Sequence, residues 1–409
     1  LPFDSNDPRR PTLSAVELIA MIGGLMALNA MSIDILLPAL GEIGRDLGAP
    51  GNDRQLVITA YVFGFGAAQL VFGPLTDALG RRRVLLAALA AYLGATLLCL
   101  AAPDMAAMAV ARMLQGVAAA ATRVIAVAVV RDLVSGRRMA EIMSFAMTVF
   151  MIAPILAPGI GQLILFVSPW QMIFASLFVM AGALGVWMLV RLPETLPPER
   201  RIAIGWRSAL ANYRLALNHR VTLGYIGAAS LIFGALFAFI ATSEQIIAES
   251  YGLGAWFSVA FGAAALALAL ANIVNARLVR RLGMRLLSHA ALILFVLLNA
   301  LHVLIALGGD PPFAVYFTLL TAALVMFAMM GANFSALVME PAGERAGTAA
   351  SLYGAFTSIS GAVLGSLIGQ AHDGTVLPLL TGLTAMGAGA LLIVVITERG
   401  RLFGAGEDS

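Results

Sequence analysis

Twelve long apolar runs, each closed by a charged, proline or glycine-rich break, constrain this chain more than any other feature. A helix that crosses a bilayer needs about 20 mostly apolar residues. The runs fall at approximately 14–40, 54–75, 83–102, 106–133, 138–167, 169–190, 220–243, 254–278, 285–307, 313–339, 346–370 and 376–397. They are continuous and too long for the strands of a membrane barrel, which alternate weakly over about ten residues. Composition agrees, with 61% hydrophobic and 11% charged residues against roughly half and a quarter in soluble domains. The expected fold is an all-α polytopic membrane protein with twelve transmembrane helices.

Charge placement sets the expected topology. All 25 basic residues are arginine. Arg45 and Arg54 lie between or at the edge of the first two runs, and Arg112 and Arg123 lie inside the fourth. The others fall on the opposite side, among them Arg9, Arg10, the triplet 81–83, Arg131, the segment from Arg191 to Arg220 and the stretch Arg277 to Arg285. By the positive-inside rule that side is cytoplasmic, and both termini lie on it. An even number of crossings requires the same. A formal charge of +3 distributed in this way argues for membrane topology and against a nucleic-acid partner. The polar start followed by a long first run is expected to be a retained anchor and not a cleavable signal. Cys99 is the single cysteine, so no internal disulfide or cysteine-based metal site is expected. Neither a metal nor an organic cofactor is implied.

The chain also reads as a duplication. The turn Gly73-Pro-Leu-Thr-Asp77-Ala-Leu-Gly80-Arg81-Arg82-Arg83 has a weaker copy, with Leu75, Leu79, Gly80 and Arg82 matched by Leu278, Leu282, Gly283 and Arg285 at one constant offset. Arg280 stands where Asp77 does. The longest polar stretch between runs, with Pro193, Pro197 and Pro198, lies near the midpoint. Expected domains are therefore a six-helix bundle over 1–190, a cytoplasmic linker over 191–219 and a second bundle with a short tail over 220–409. Within the linker, apolar spacing from Ile204 to Leu217 predicts a short amphipathic helix on the membrane face.

The residues that carry chemistry are the ionisable ones inside runs. Placing an arginine in the bilayer centre costs about 2.5–3.5 kcal/mol even on lenient insertion scales, so Arg112 should face a polar cavity or a partner; snorkelling to the nearby surface is the plainer alternative. Asp34 is the deep carboxylate of the first half and stands at similar depth, so the two are expected to meet as an ion pair. Such a pair serves either proton coupling or helix packing alone. Arg123 follows Arg112 by eleven residues, which returns to nearly the same helix face about 16 Å further along. It is expected to bind an anionic substrate group, to pair with Asp132 or Glu141, or to snorkel. Gly73 and Gly80 allow turning at helix ends, Pro74 should interrupt the second helix, and Asp77 stands four residues before Arg81, one turn away. Pro154, Pro158, Gly159 and Gly161 put kinks and small residues on a packing face of the fifth helix. Candidate cavity residues are Asn29, Tyr61, Gln115 and Arg123, with Met147, Met151, Phe237 and Asn333; ordinary packing is the commoner role of such a Met and Phe stripe, and interhelical hydrogen bonding that of a polar residue such as Asn333. Glu244 at the end of the seventh run is a candidate second proton or cation site.

The pattern G-P-L-x-D-x-x-G-R-R between the second and third of twelve helices resembles the signature of the major facilitator superfamily. The resemblance implies two pseudo-symmetric six-helix bundles and a gating loop in which Gly73, Asp77, Gly80, Arg81 and Asp132 take part. Asp77 would latch to the start of the eleventh helix near Gly347. Arg112-Met-Leu-Gln115-Gly116 and Ala157-Pro158-Gly159-Ile160-Gly161 resemble the helix 4 and antiporter motifs of its drug:proton exporters. With Leu192-Pro-Glu194-Thr195 after the sixth helix, the whole chain is similar to the Bcr/CflA drug-resistance subfamily. This implies a bacterial inner-membrane protein, working as a monomer, that exports a small molecule in exchange for protons, with Asp34 and Arg112 in the coupling. An importer or uniporter of the same fold is the alternative. A polytopic enzyme finds no support, since no Ser/His dyad, HExxH or carboxylate cluster occurs.

Overall fold

The structure is a computed structural model that describes residues 13–49, 51–134, 136–201 and 206–404. Regular structure among these residues is helical. Twelve helices are long and apolar enough to cross a membrane. They are α1 (Ala15–Asp34), α2 (Leu56–Leu79), α3 (Arg81–Leu100), α4 (Met105–Leu133), α5 (Gly136–Val167), α6 (Gln171–Arg191), α7 (Arg220–Glu244), α8 (Phe257–Leu282), α9 (Met284–Ala306), α10 (Phe313–Met339), α11 (Ala346–Gln370) and α12 (Leu377–Thr397). A further helix, Trp206–Leu217, occupies the linker.

The chain divides into two compact units. One comprises Leu1–Ala49 with Gly64–Trp206, the other Pro50–Phe63 with Arg207–Ser409. The first turns of α2 and the residues before it thus count with the second unit. Polar bonds account for this: Asn52 Nδ2 donates to the carbonyls of Gln370 and His372 at 3.0 and 2.9 Å, and Gln55 Nε2 donates to the Gly369 carbonyl at 3.2 Å.

One packing pattern occurs twice. In the first unit α1 packs on α4, α5 and α6 while α3 packs on α4 and α6; in the second, α7 packs on α10, α11 and α12 while α9 packs on α10 and α12. Substituting each helix by the one six places later converts the first set into the second. The duplication seen in the two glycine–basic turns is thus carried through the helix contacts.

Helix ends depart from the simple reading in two places. Pro74 does not interrupt its helix, because α2 runs through it to Leu79; a helix in a membrane protein tolerates proline where neighbouring groups compensate the lost backbone bond. The turn is made by Gly80 alone, at φ 95° and ψ 151°, and its counterpart Gly283 adopts φ 79° and ψ 159°. That region of backbone space is open essentially to glycine only. The first span does break: α1 ends at Asp34 and gives way to a 3₁₀ turn, Leu37–Ala39, and a short helix, Leu40–Asp46.

Candidate functional site

Arg112 and Asp34 lie near this break in the first unit. Carbonyls in the last turn of a helix lack the donor four residues on, and Arg112 supplies one: its Nη2 donates to the Ser32 carbonyl at 2.8 Å. Its Nη1 donates to Gln115 Oε1 at 2.5 Å, and the guanidinium carbon lies 5.8 Å from the Phe174 ring centroid. Gln115 in turn donates to Thr96 Oγ1 at 2.7 Å, and the Ser32 and Tyr92 hydroxyls are 2.6 Å apart. Arg112 is 0% exposed. It ties α1, α3, α4 and α6 together at one level.

The expected ion pair with Asp34 is not formed. The Asp34 side chain is 5% exposed, and among the described residues no hydrogen bond or ion pair reaches its carboxylate. The reason is rotational, since two residues along a helix turn a side chain through about 200°, so a guanidinium engaged beside Ser32 is not aimed at Asp34. Gly161 on α5 closes the other side. A Cβ there would collide with the Ile35 carbonyl, directly after Asp34. α5 continues through Pro154 and Pro158, and a Cβ on Gly159 would meet open space.

The glycine–basic turn divides its three arginines among different tasks. Arg81, 3% exposed, places Nη1 at 2.6 Å from Asp77 Oδ1 and 2.8 Å from Thr76 Oγ1, and its Nε at 3.1 Å from Asp132 Oδ2. Its backbone N–H donates to Glu194 Oε1 at 2.8 Å. Asp132 also accepts from Thr195 Oγ1 at 3.3 Å. A Cβ on Gly80 would strike the Glu194 carboxylate and displace it from the Arg81 N–H, so the glycine serves this contact as well as the backbone conformation. Arg82 reaches the Leu189 carbonyl at 2.6 Å, near the C-terminus of α6, where a cation is favoured. Arg83 is exposed. The acid and hydroxyl after the sixth run, Glu194 and Thr195, matter here through contacts that motif reading did not assign them.

The second unit has its own network. Arg285 donates to Glu340 Oε2 at 2.9 Å and to Glu398 Oε1 at 3.1 Å. The Tyr225 hydroxyl donates to Glu398 Oε1 at 2.6 Å and lies 2.7 Å from His289 Nε2. The Phe403 N–H donates to His289 Nδ1 at 3.1 Å, which leaves the ring proton on Nε2. Arg280, which holds the sequence position of Asp77, is exposed and outside this network.

Several of the candidate cavity residues form ties between helices. Asn29 donates to Thr122 Oγ1 at 2.9 Å, joining α1 to α4, and Asn333 donates to Asn275 Oδ1 at 2.9 Å, joining α10 to α8. Both are buried, as are Gln115 and Tyr61. A polar side chain in an apolar helix is satisfied most readily by a neighbouring helix, which overrides its apparent position on a face. Arg123 is exposed, with its guanidinium carbon 5.9 Å from the Phe65 ring centroid. Its expected partner Asp132 is engaged by Arg81 and Thr195. Met147 is 40% exposed, Met151 is half-buried, and Phe237 lies against Gly361 and Gly365 of α11. In the second unit Glu244 is 3.6 Å from buried Arg54, which also meets Glu249 at 2.7 Å. Glu244 thus belongs to an arginine–carboxylate cluster.

Comparison with known proteins accords with this architecture. The sequence profile described as Major Facilitator Superfamily matches residues 22–366. A Bacillus subtilis protein named uncharacterized MFS-type transporter YdgK is 29% identical over 357 residues, covering 87% of this chain and 89% of its own. A Haemophilus influenzae protein named bicyclomycin resistance protein homolog is 29% identical over 370 residues, covering 90% and 92%. Among solved structures, a D-xylose-proton symporter superposes with a TM-score of 0.70 at 15% identity, over 92% of this chain and 96% of its own. With twelve membrane-spanning helices in a repeated six-helix pattern and a family profile matched over most of its length, this chain is a multi-pass transporter that belongs to the Major Facilitator Superfamily.

Proposed function

We propose that the chain exports small amphipathic drugs or metabolites in exchange for protons, by alternating access, from the cytoplasmic membrane of a bacterium. The observation that carries this reading is the surroundings of Asp34, a buried carboxyl group at a helix break that Arg112 does not neutralise. Intramembrane ionisable groups characteristically mark transport paths. An ionised carboxylate closed off from water costs several kcal/mol, so Asp34 holds its proton when enclosed and gives it up when wetted or faced by a cationic substrate. Arg112 acts here as a positioning residue. By fastening the Ser32 carbonyl it fixes where the broken end of α1 lies, and Gly161 lets α5 bear on the next residue.

The relative named for bicyclomycin resistance supports export of drug-like compounds. The arginine distribution supports cytoplasmic termini. A monomer suffices, with the proton as coupling ion. The test is transport into everted vesicles carrying the full chain. Acidifying the lumen should drive drug accumulation with the wild type and not with Asp34→Asn, while Asp34→Asn should retain substrate exchange in the absence of a gradient. Retention of gradient-driven accumulation by Asp34→Asn would refute the assignment. Gradient-driven uptake in the opposite direction would instead establish an importer.

A further inference from the structure

A cavity of 720 Å³ opens on the flank of the first unit between α2, α3 and α4. It arises because α3 and α4 pack on each other along their lengths, whereas α2 meets α4 closely at Gly64 and Met113 but packs along neither helix. Small residues on α3, namely Ala87, Ala91 and Gly94, form its exposed floor, and Phe72 and Leu75 stand on one wall with Leu114 on the other. A Cβ built on Gly94 would meet nothing within 4 Å. Every lining residue is apolar except Arg83, which stands at one end. From Arg83 to Leu98 the groove follows α3 for about 22 Å, at about 1.5 Å per residue. That exceeds the roughly 15 Å of hydrocarbon in one leaflet, half of a core about 30 Å thick.

Arg83 is the member of the arginine triplet left without a task. Arg81 and Arg82 are engaged as described above, but among the described residues no hydrogen bond or ion pair reaches the Arg83 side chain. It stands in the first turn of α3, where no acidic residue is present. A helix N-terminus favours negative charge and disfavours positive charge. A cation in this position, at the mouth of an apolar channel one leaflet deep, is matched by a ligand with an anionic head and a long hydrocarbon chain.

We propose that this groove binds one anionic glycerophospholipid, with an acyl chain along Ala87, Ala91 and Gly94 and its phosphate on Arg83. The chain specifies position and the arginine specifies headgroup. Because Leu75 and Leu79 of the groove flank Asp77 in sequence, the bound lipid lies beside the turn that carries the Arg81 network.

Native mass spectrometry of the full chain, released from mixed phosphatidylglycerol and phosphatidylcholine micelles, tests the site. The wild type should retain a single phosphatidylglycerol in preference to phosphatidylcholine. Arg83→Gln should lower that preference at least five-fold, and Arg83→Lys should restore most of it. Gly94→Leu, which fills the open floor, should lose both lipids, and Ala87→Leu serves as a second plug should the first variant fail to fold. Equal retention of the two lipids by the wild type, or an unchanged preference in Arg83→Gln, would overturn the proposal. Displacement of the lipid by millimolar inorganic phosphate would also overturn it, by assigning Arg83 to a free anion.

Discussion

The two glycine–basic turns began as copies, and their present surroundings show what each copy retained. In the first unit the arginine after the glycine, Arg81, is 3% exposed and meets Asp77, Asp132 and, through its backbone, Glu194. In the second unit that position is Met284, and the next residue, Arg285, reaches Glu340 beyond α10 and Glu398 beyond α12. Asp132 and Glu194 hold the corresponding places at the ends of α4 and beyond α6. Both units therefore clamp three helix ends with one arginine and two acids. The two differ in the arginine's place after the glycine, in how the acid beyond the last helix is held (by the backbone N–H of Arg81 but by the side chain of Arg285), in burial, and in Asp77, which has no acidic counterpart. Clamping belongs to the shared architecture, whereas the extra carboxylate is particular to the first turn.

The largest expected effect separates the two arginines. Arg81→Ala strands Asp132, whose side chain is only 14% exposed, and breaking such a pair typically costs about 3–5 kcal/mol. Arg285→Ala strands an acid equally enclosed, Glu398, but Glu398 keeps the Tyr225 hydroxyl at 2.6 Å, whereas Asp132 keeps only the longer bond from Thr195 at 3.3 Å. A loss nearer 1.5–3 kcal/mol is expected, as for hydrogen bonds to charged groups. Thermal unfolding of the purified variants in detergent checks the order. Equal losses would mean that the two clamps are equivalent after all.

A second pair probes the turns themselves. Alanine at either glycine must adopt a backbone region that costs about 1–3 kcal/mol for a residue with a side chain. At Gly283 the new Cβ meets nothing within 4 Å, whereas at Gly80 it strikes the Glu194 carboxylate. Gly80→Ala should therefore lower the melting temperature more than Gly283→Ala. If Gly283→Ala proved the worse, crowding by Glu194 would not be the distinguishing feature.

How much of this was legible beforehand depended on whether a residue's partner was local. The spans were, because a helix in hydrocarbon must be predominantly apolar over about 20 residues. The Asp77–Arg81 spacing was also readable, being one helical turn. Arg112 was recognisable as a buried cation, but its acceptor was not, because the choice between the Ser32 carbonyl and the Asp34 carboxylate rests on the rotation of α1 and the point where that helix breaks. The partners of Asn29 and Asn333 were hidden for the same reason, since helical periodicity gives a face but not the neighbour opposite it. Glu194 contacts Arg81 from 113 residues away, and Glu398 contacts Arg285 from a similar distance. Nothing in local spacing announces either. Pro74 misled because its usual effect on helices is offset within a packed membrane bundle.

The smallest effect on stability should come from the residue that distinguishes the copies. Asp77 is 44% exposed, and ion pairs with an exposed partner contribute about 0–1 kcal/mol. Arg81 also retains Thr76 and Asp132 when Asp77 is neutralised. Asp77→Asn should thus shift the melting temperature by far less than Arg81→Ala does. If Asp77 is present for the transport cycle, the same substitution should still reduce gradient-driven efflux in everted vesicles, whereas Arg280→Asn, at the matching position of the other copy, should leave efflux unchanged. Parallel losses of stability and transport in Asp77→Asn would make it another structural member of the clamp. Transport lost with the fold intact would identify it as the point at which the two turns diverged in function.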